Sequence, residues 1–441
     1  MVRYAAKDMV LLMKKPENHE PKWYKLDNAA KIYPVVVSAK DSYVFRITAN
    51  MKDEVRPDIL QQAVNDCRDR FPAFYVKLRR GLFWYYYEAN EKEPLVKPEP
   101  AYVCRRIDLR KNNGFYFTHF YYKKRISIEI FHGICDGAGA LEFFKTTVYR
   151  YLELLGLPVL PENLILTLDQ KPEPAEAEDS YNKYYSGEER RKRIITKAYK
   201  PCHKGFLHGG AGLIVGKASS EKLHSIAREK GVTVTQYLTA LLSYCYFKLG
   251  EKEKLGTLPV KITIPVNMRR YCPSTTLRNF SLFFHTSVLY TSEMTFESIL
   301  EVTKKQFISE LTDKKLRDTL NSNVVIEKNI AVRFLPLFIK KIILKTGYKY
   351  IGTRSSTATV TNLGNIELPN SMMPYVIDFE LNSAAGKRSN PNLSLVSYND
   401  ITTLSFSRGI LYTGYEKLFF SFLAKQGLKI EVQSNLWEDY S

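Results

Sequence analysis

The stretch EIFHGICDGAGALEFF, residues 129–144, sets three residues between His132 and Asp136, which Gly137 follows. An imidazole titrates close to neutral pH, so histidine is the ordinary general base. Such a base needs a fixed ring. An aspartate beside a glycine-rich turn either orients that ring or braces the loop through an arginine. Cys135 lies between the two, and a Cys/His pair suggests a nucleophile. Nothing in its surroundings marks it as activated, so a small loop residue is the simpler reading. H-x-x-x-D alone arises often by chance, and a lone histidine is more often simply packed.

The surrounding pattern says how these residues are held. FYFTHFYYKKRISIEIFHG, residues 115–133, alternates like a hairpin turning at Lys123 and Lys124. Ile126, Ile128 and Ile130 share one face, and His132 keeps their parity. ALEFFKTTVYRYLELLG then reads as a helix. Gly137 and Gly139 permit backbone angles that let the loop turn tightly into it. On the opposite arm His119 reads as a plain strand residue. His285 lies in an apolar strand and reads as core. His19, His203, His208 and His224 fall in polar or turn-like contexts.

Elsewhere, DSYVFRITANM alternates as a strand, RPDILQQAVNDCRDRFPAFYVKL reads as a helix with Pro57 near its start, and GLFWYYYEAN reads as a strand. Residues 181–204 are charged and poor in aliphatics, as a linker would be. GLIVGKAS opens the second half as a strand, a helix follows, and Thr233 with Gln236 fits the capping box of the next. Residues 295–350 read as helical, and SSTATVTNLGNIELP, LSLVSYND and ITTLSFSRG as strands.

With 441 residues the chain exceeds one compact core, so two large halves are expected. Its net charge of +19 fits a polyphosphorylated small molecule, nucleic acid or an anionic membrane. No zinc-finger, RNP or basic-heptad pattern accompanies the charge, which argues against nucleic acid. The six cysteines form no C-x-x-C, and no metal cluster appears. The apolar run near the start is too short for a signal or a span, which predicts a reduced, cytoplasmic protein. No G-x-S-x-G elbow or phosphate loop occurs, and HGGAGLIVG is only a weak candidate for the latter. RFLPLFIKKIILKTGYKYIG, residues 333–352, is basic and apolar. A core-facing helix after Pro336 is preferred there to a membrane-surface segment.

A strand ending in H-x-x-x-D-G and followed at once by a helix resembles the chloramphenicol acetyltransferase-like superfamily, which includes condensation domains and alcohol acetyltransferases. WYKLDNAAKIYP resembles the N-terminal signature of the alcohol acetyltransferase branch. IPVNMRRYCPSTTLRNF resembles the segment with a Pro-Val-x-x-Arg strand end and a following Asn. TVTNLGNIELP resembles the Asn-Leu-Gly strand near the crossover. The four segments span nearly the whole chain in a sensible order. Two departures stand out. Phe131 replaces the first of the paired histidines of condensation domains, and the D-F-G-W-G motif of the plant branch is absent.

The resemblance implies mixed α/β architecture with two similar halves, residues 1–180 and 205–441, joined by the linker 181–204. A cleft or tunnel between them would hold the active site. It implies an acyl-CoA-dependent O-acyltransferase, acetyl-CoA being the expected co-substrate, with no permanently bound cofactor and no metal. His132 would take the acceptor's proton, and transfer would be direct. Asp136 would be structural, held by Arg269 with Arg46 behind it. Gly137 would support the loop. Asn279 and the Ser355–Asn362 stretch are candidates for the oxyanion donor. The rival readings are an amine N-acyltransferase, a condensation-type enzyme with a carrier-bound donor, and a non-catalytic acyl- or CoA-binding relative.

Overall fold

The hairpin forms where its alternation puts it. Phe117–Tyr122 pairs antiparallel with Arg125–Phe131, and Lys123 takes φ 47° at the turn. The computed structural model describes residues 23–38, 41–188, 196–206, 210–351, 354–386 and 389–435. The first residues with His19, part of the 181–204 linker, His208 and Gly352 lie outside these.

The hairpin is the middle of a five-stranded sheet in the order Val376–Asn382, Val44–Met51, Arg125–Phe131, Phe117–Tyr122, Val96–Pro98. Helices Pro57–Asp66 and Gly137–Leu154 pack against each other and over this sheet. They bury Leu60, Val64, Phe143 and Phe144 against Ile126, Ile128 and Ile130. Each large apolar side chain so buried contributes about 2 kcal/mol. That core fixes the strand end from which His132 projects.

The second half is built on a seven-stranded mixed sheet. Its order is Ser281–Val288, Val260–Asn267, Ala358–Asn365, Asn392–Tyr398, Ile401–Arg408, Gly212–Ser219, Glu431–Ser434. Helices Val234–Leu249, Phe296–Glu310 and Gly414–Lys425 pack together beside it and bury Leu241, Phe296 and Phe419 in one core. Thr233 and Gln236 close their capping box. A small sheet of Trp23–Lys25, Tyr85–Ala89 and Val76–Arg80 completes the described strands.

Three expectations change. The helix starting at Pro57 stops at Asp66, and Val76–Arg80 is a strand. Pro72 lies in between, and proline disfavours helix at the residue before it. The strand Val376–Asn382 had no counterpart in the sequence reading, and it pairs antiparallel with Val44–Met51 of the first half. The two halves therefore share a sheet. Finally, the segment around residues 333–352 does not simply face a core. Leu337 and Lys340 turn inward, but Phe334, Phe338, Ile342 and Ile343 are exposed.

Candidate active site

His132 is the first residue past its strand. Its backbone N–H donates to the Tyr43 carbonyl at 2.8 Å, which extends the strand pairing by one bond. Tyr43 adopts φ 51°, a left-handed conformation that costs a non-glycine residue about 1 kcal/mol or more. The Tyr33 ring stacks on the imidazole with centroids 5.0 Å apart, and Phe45 lies at 5.1 Å. Tyr43 packs on Tyr33, and Tyr348 on Tyr43, so an aromatic wall flanks the histidine.

One ring nitrogen is held from the other half of the molecule. His132 Nδ1 lies 3.1 Å from Asn279 Oδ1. Asn279 Nδ2 in turn donates to Asp27 Oδ2 at 3.2 Å, and Asp27 Oδ1 accepts from the Ala30 N–H at 2.7 Å. A carboxylate only accepts hydrogen bonds. An ionised Asp27 therefore turns the Asn279 amide nitrogen towards itself and the amide oxygen towards His132. Nδ1 must then carry the proton, and Nε2 keeps its lone pair. Among the described residues Nε2 has no hydrogen-bond partner.

The electrostatics suit a base. Burial pushes the His132 imidazole below its ordinary value, against the opposing pull of the Asp136 charge and the Asn279 bond. It is therefore neutral at neutral pH. Burial raises the Asp27 carboxyl to about 7, helped by Asp179 and opposed by the Ala30 and Asn279 bonds and the Arg278 charge. The Arg278 guanidinium is buried against the Tyr87 and Tyr24 rings, 4.6 and 5.5 Å from their centroids.

Asp136 does not touch the imidazole ring. It caps the helix Gly137–Leu154, its Oδ1 accepting from the Gly139 N–H at 3.1 Å. Its Oδ2 accepts from Arg269 Nη1 and from the Phe280 N–H, each at 2.8 Å. Arg269 also donates to the carbonyls of Thr276 and Arg278. Asp136 thus ties the loop after His132 to the segment that carries Asn279. Arg46, offered as a second partner, is instead buried with Glu129 and Glu99 at 2.9 Å.

The glycines act through space rather than through unusual angles. Neither Gly137 nor Gly139 has a positive φ. A Cβ on Gly139 would stand 2.0 Å from the Leu277 carbonyl oxygen, so only glycine lets the helix start approach that segment. A Cβ on Gly137 would lie 3.2 Å from Leu363. The Tyr87 hydroxyl donates to the Gly133 carbonyl and pins the loop from the other side.

Four candidates take other parts. Cys135 is fully buried, and burial raises its thiol well above the ordinary value, so it is no thiolate nucleophile. Asn279 has both ends of its amide engaged, its oxygen with His132 Nδ1 and its nitrogen with Asp27, so the NH2 is turned away from His132 and towards Asp27 rather than aimed as an oxyanion donor. Asn362, in the other proposed stretch, is likewise bonded to Thr235 and to the Gly364 N–H. His285 is half-buried rather than core and bonds Thr263 at 3.0 Å. Asp27 escaped the sequence reading although it lies in the quoted WYKLDNAAKIYP. A lone acid ahead of Asn-Ala-Ala gives no sign that it will be buried. A surface cavity of about 540 Å³, lined by Arg408 and Glu416 among others, includes none of these site residues.

With this geometry in hand, the likenesses to known proteins become informative. The family model described as alcohol acetyltransferase matches residues 182–417, just over half of the chain. No curated protein matches it in sequence. Among solved structures, polyketide synthase associated protein 5 from Mycobacterium tuberculosis superposes with a TM-score of 0.61 at 12% identity. It covers 91% of this chain and 96% of its own. TRI101 of F. sporotrichioides, complexed with coenzyme A and T-2, gives 0.58 at 10% identity, covering 94% and 100%. The starter condensation domain of rhizomide synthetase, in a single-mutant form bound to C8-CoA, gives 0.57 at 13%, covering 91% and 94%. At these identities the likeness is one of fold, the two-half α/β fold of acyltransferases and condensation domains.

Proposed function

The chain belongs to the alcohol acetyltransferase family and is an acyltransferase, and on that premise we propose that it carries an acyl group from acyl-CoA to an alcohol with His132 as general base. The observation that carries this reading is the chain of hydrogen bonds Asp27–Asn279–His132. It supports a neutral imidazole with its proton on Nδ1 and a free lone pair on Nε2.

In this reading the alcohol O–H points at Nε2. His132 takes the proton as the alcohol oxygen bonds to the thioester carbonyl carbon. The tetrahedral oxyanion collapses, the carbon–sulfur bond breaks, and the imidazolium returns its proton to the leaving thiolate. No acyl-enzyme forms, in keeping with the buried Cys135 thiol. Asn279 and Asp27 are positioning residues, which hold the ring without touching the reacting atoms. Asp136 and Arg269 hold the two segments together.

Acetyl-CoA is the expected donor. The coenzyme A complex of TRI101 supports a CoA co-substrate, and the C8-CoA complex of the condensation domain supports testing longer acyl chains as well. The six free cysteines support a reduced, cytoplasmic setting. Among the described residues no helix is long and apolar enough to cross a membrane, and no group of acids, histidines and cysteines could hold a metal.

The test is thiol release from acetyl-CoA and octanoyl-CoA with a panel of alcohols and amines, corrected for the exposed Cys202 thiol. Release that requires an alcohol supports the reading. Release with amines alone would replace it with N-acylation. CoA binding without release from either donor would make the chain a binding relative.

A further inference from the structure

The helices Asp313–Lys328, Ile330–Phe334 and Leu337–Ile351 follow one another and leave an apolar face uncovered. On their inner side Leu337 is buried. Lys340 is buried too, its Nζ donating to the carbonyls of Phe83 and Arg333. On the outer side Ile330 is 72%, Phe334 70%, Ile342 65% and Phe338 58% exposed. Leu82, 72% exposed, and Phe83 join them from the tip between Val76–Arg80 and Tyr85–Ala89. The Leu337 N–H donates to the Leu82 carbonyl, and the Phe83 and Phe334 rings meet with centroids 6.1 Å apart. Phe338 and Ile342 lie one helical turn apart, so these side chains form one strip. A lone chain rarely leaves so continuous an apolar strip open to water unless something covers it.

The charge around the strip identifies the cover. From Lys328 to Ile366 the sequence carries lysines and arginines throughout and neither Asp nor Glu. Lys328, Arg333 and Lys345 are exposed beside the strip, and Arg79 and Arg80 lead to the Leu82 tip. Two neighbouring acids are already taken: Glu327, just ahead of Lys328, pairs with Lys31, and Glu88 with Arg79 and Lys77. A second copy of this face would set cations against cations. An anionic lipid surface satisfies both features, with the aromatic and aliphatic side chains in the headgroup–acyl boundary and the cations among the phosphates.

We propose that this face docks on an anionic membrane surface, with Leu82, Phe334, Phe338 and Ile342 as the inserted side chains. Tyr348, on the last of these helices, packs on Tyr43 of the aromatic wall beside His132. Docking therefore brings that wall close to the lipid.

Co-sedimentation of the full chain with phosphatidylcholine vesicles, with and without phosphatidylserine, tests the proposal. The expected result is binding that requires phosphatidylserine and falls as salt rises. Phe338→Ser/Ile342→Ser and, separately, Arg333→Glu/Lys345→Glu each weaken it about tenfold. Turnover of a water-soluble alcohol stays at the wild-type level in both, so a failure of docking is distinct from a failure of the acyl-transfer reading. Three outcomes overturn the proposal: no binding to either vesicle, equal binding to both, or a wild-type dimer in solution that Phe338→Ser/Ile342→Ser converts to monomer.

Discussion

His119 lies on one arm of the hairpin and His132 just past the end of the other, and they show what separates a packed histidine from one held with a nitrogen open. His119 is enclosed by Phe117, Phe143 and Phe144, neither of its ring nitrogens has a hydrogen-bond partner, and burial lowers it to about 3. It behaves as an aromatic core residue. His132 is also held neutral by burial, but one nitrogen is gripped by Asn279 and the other is open. Depression of the imidazole is common to both. The polar grip from the opposite half of the molecule is what distinguishes His132, the proposed base.

The sharpest break of that contrast is His132→Ala. It should reduce kcat by about a hundredfold to ten-thousandfold, the ordinary contribution of general base catalysis, with the fold intact by circular dichroism. Asp136→Asn should act on the frame instead. It leaves the Arg269 guanidinium partly unpaired and should cost about 3 kcal/mol in urea unfolding, with kcat of the folded fraction much less affected.

Asn279→Ala removes the grip and makes His132 resemble His119. We expect kcat about tenfold lower with KM for CoA unchanged, from the loss of one orienting hydrogen bond. Its partner adds a pH signature. Asp27 titrates near 7 and must be ionised to turn Asn279 correctly, so wild-type kcat/KM should rise through about pH 7. In Asp27→Asn the remaining acid limb belongs to His132 and should fall below the ordinary histidine value of about 6.5, with a lower plateau. The stability sign is opposite to that of a salt-bridged acid. The folded carboxyl holds its proton above the unfolded value of 3.8, so Asp27 costs nothing below about pH 4. Its penalty grows up to about pH 7, to the order of 4 kcal/mol, and then stays level. Urea titrations of wild type and Asp27→Asn across pH 4–8 should converge at the acid end. The smallest effect is expected from His119→Leu. It should change kcat by less than about twofold and leave stability equal or higher, because a buried, unpartnered polar ring is lost.

What the sequence made legible was local. The hairpin, the helix after Gly139, and the Thr233–Gln236 cap each follow from alternation, helical spacing or capping chemistry within a few residues. The His132 position and the tie between Asp136 and Arg269 could be anticipated because they lie in the quoted motifs. The contacts that complete the site are not local. Asp27 and Asn279 are 252 residues apart, and Val376–Asn382 pairs with a strand far upstream. Nothing in either member of such a pair announces the other. Gly139 shows the same limit: its need is set by the Leu277 carbonyl, not by its own backbone angles.

The central claim is direct transfer from CoA to an alcohol under base catalysis by His132. Rapid mixing of enzyme with acetyl-CoA, with thiol release followed in the presence and absence of the accepted alcohol, tests it most directly. The account predicts no burst without alcohol, alcohol-dependent release in wild type, and loss of that release in His132→Ala with CoA affinity retained. A burst matching the enzyme concentration without alcohol, or wild-type release by the variant, would contradict it.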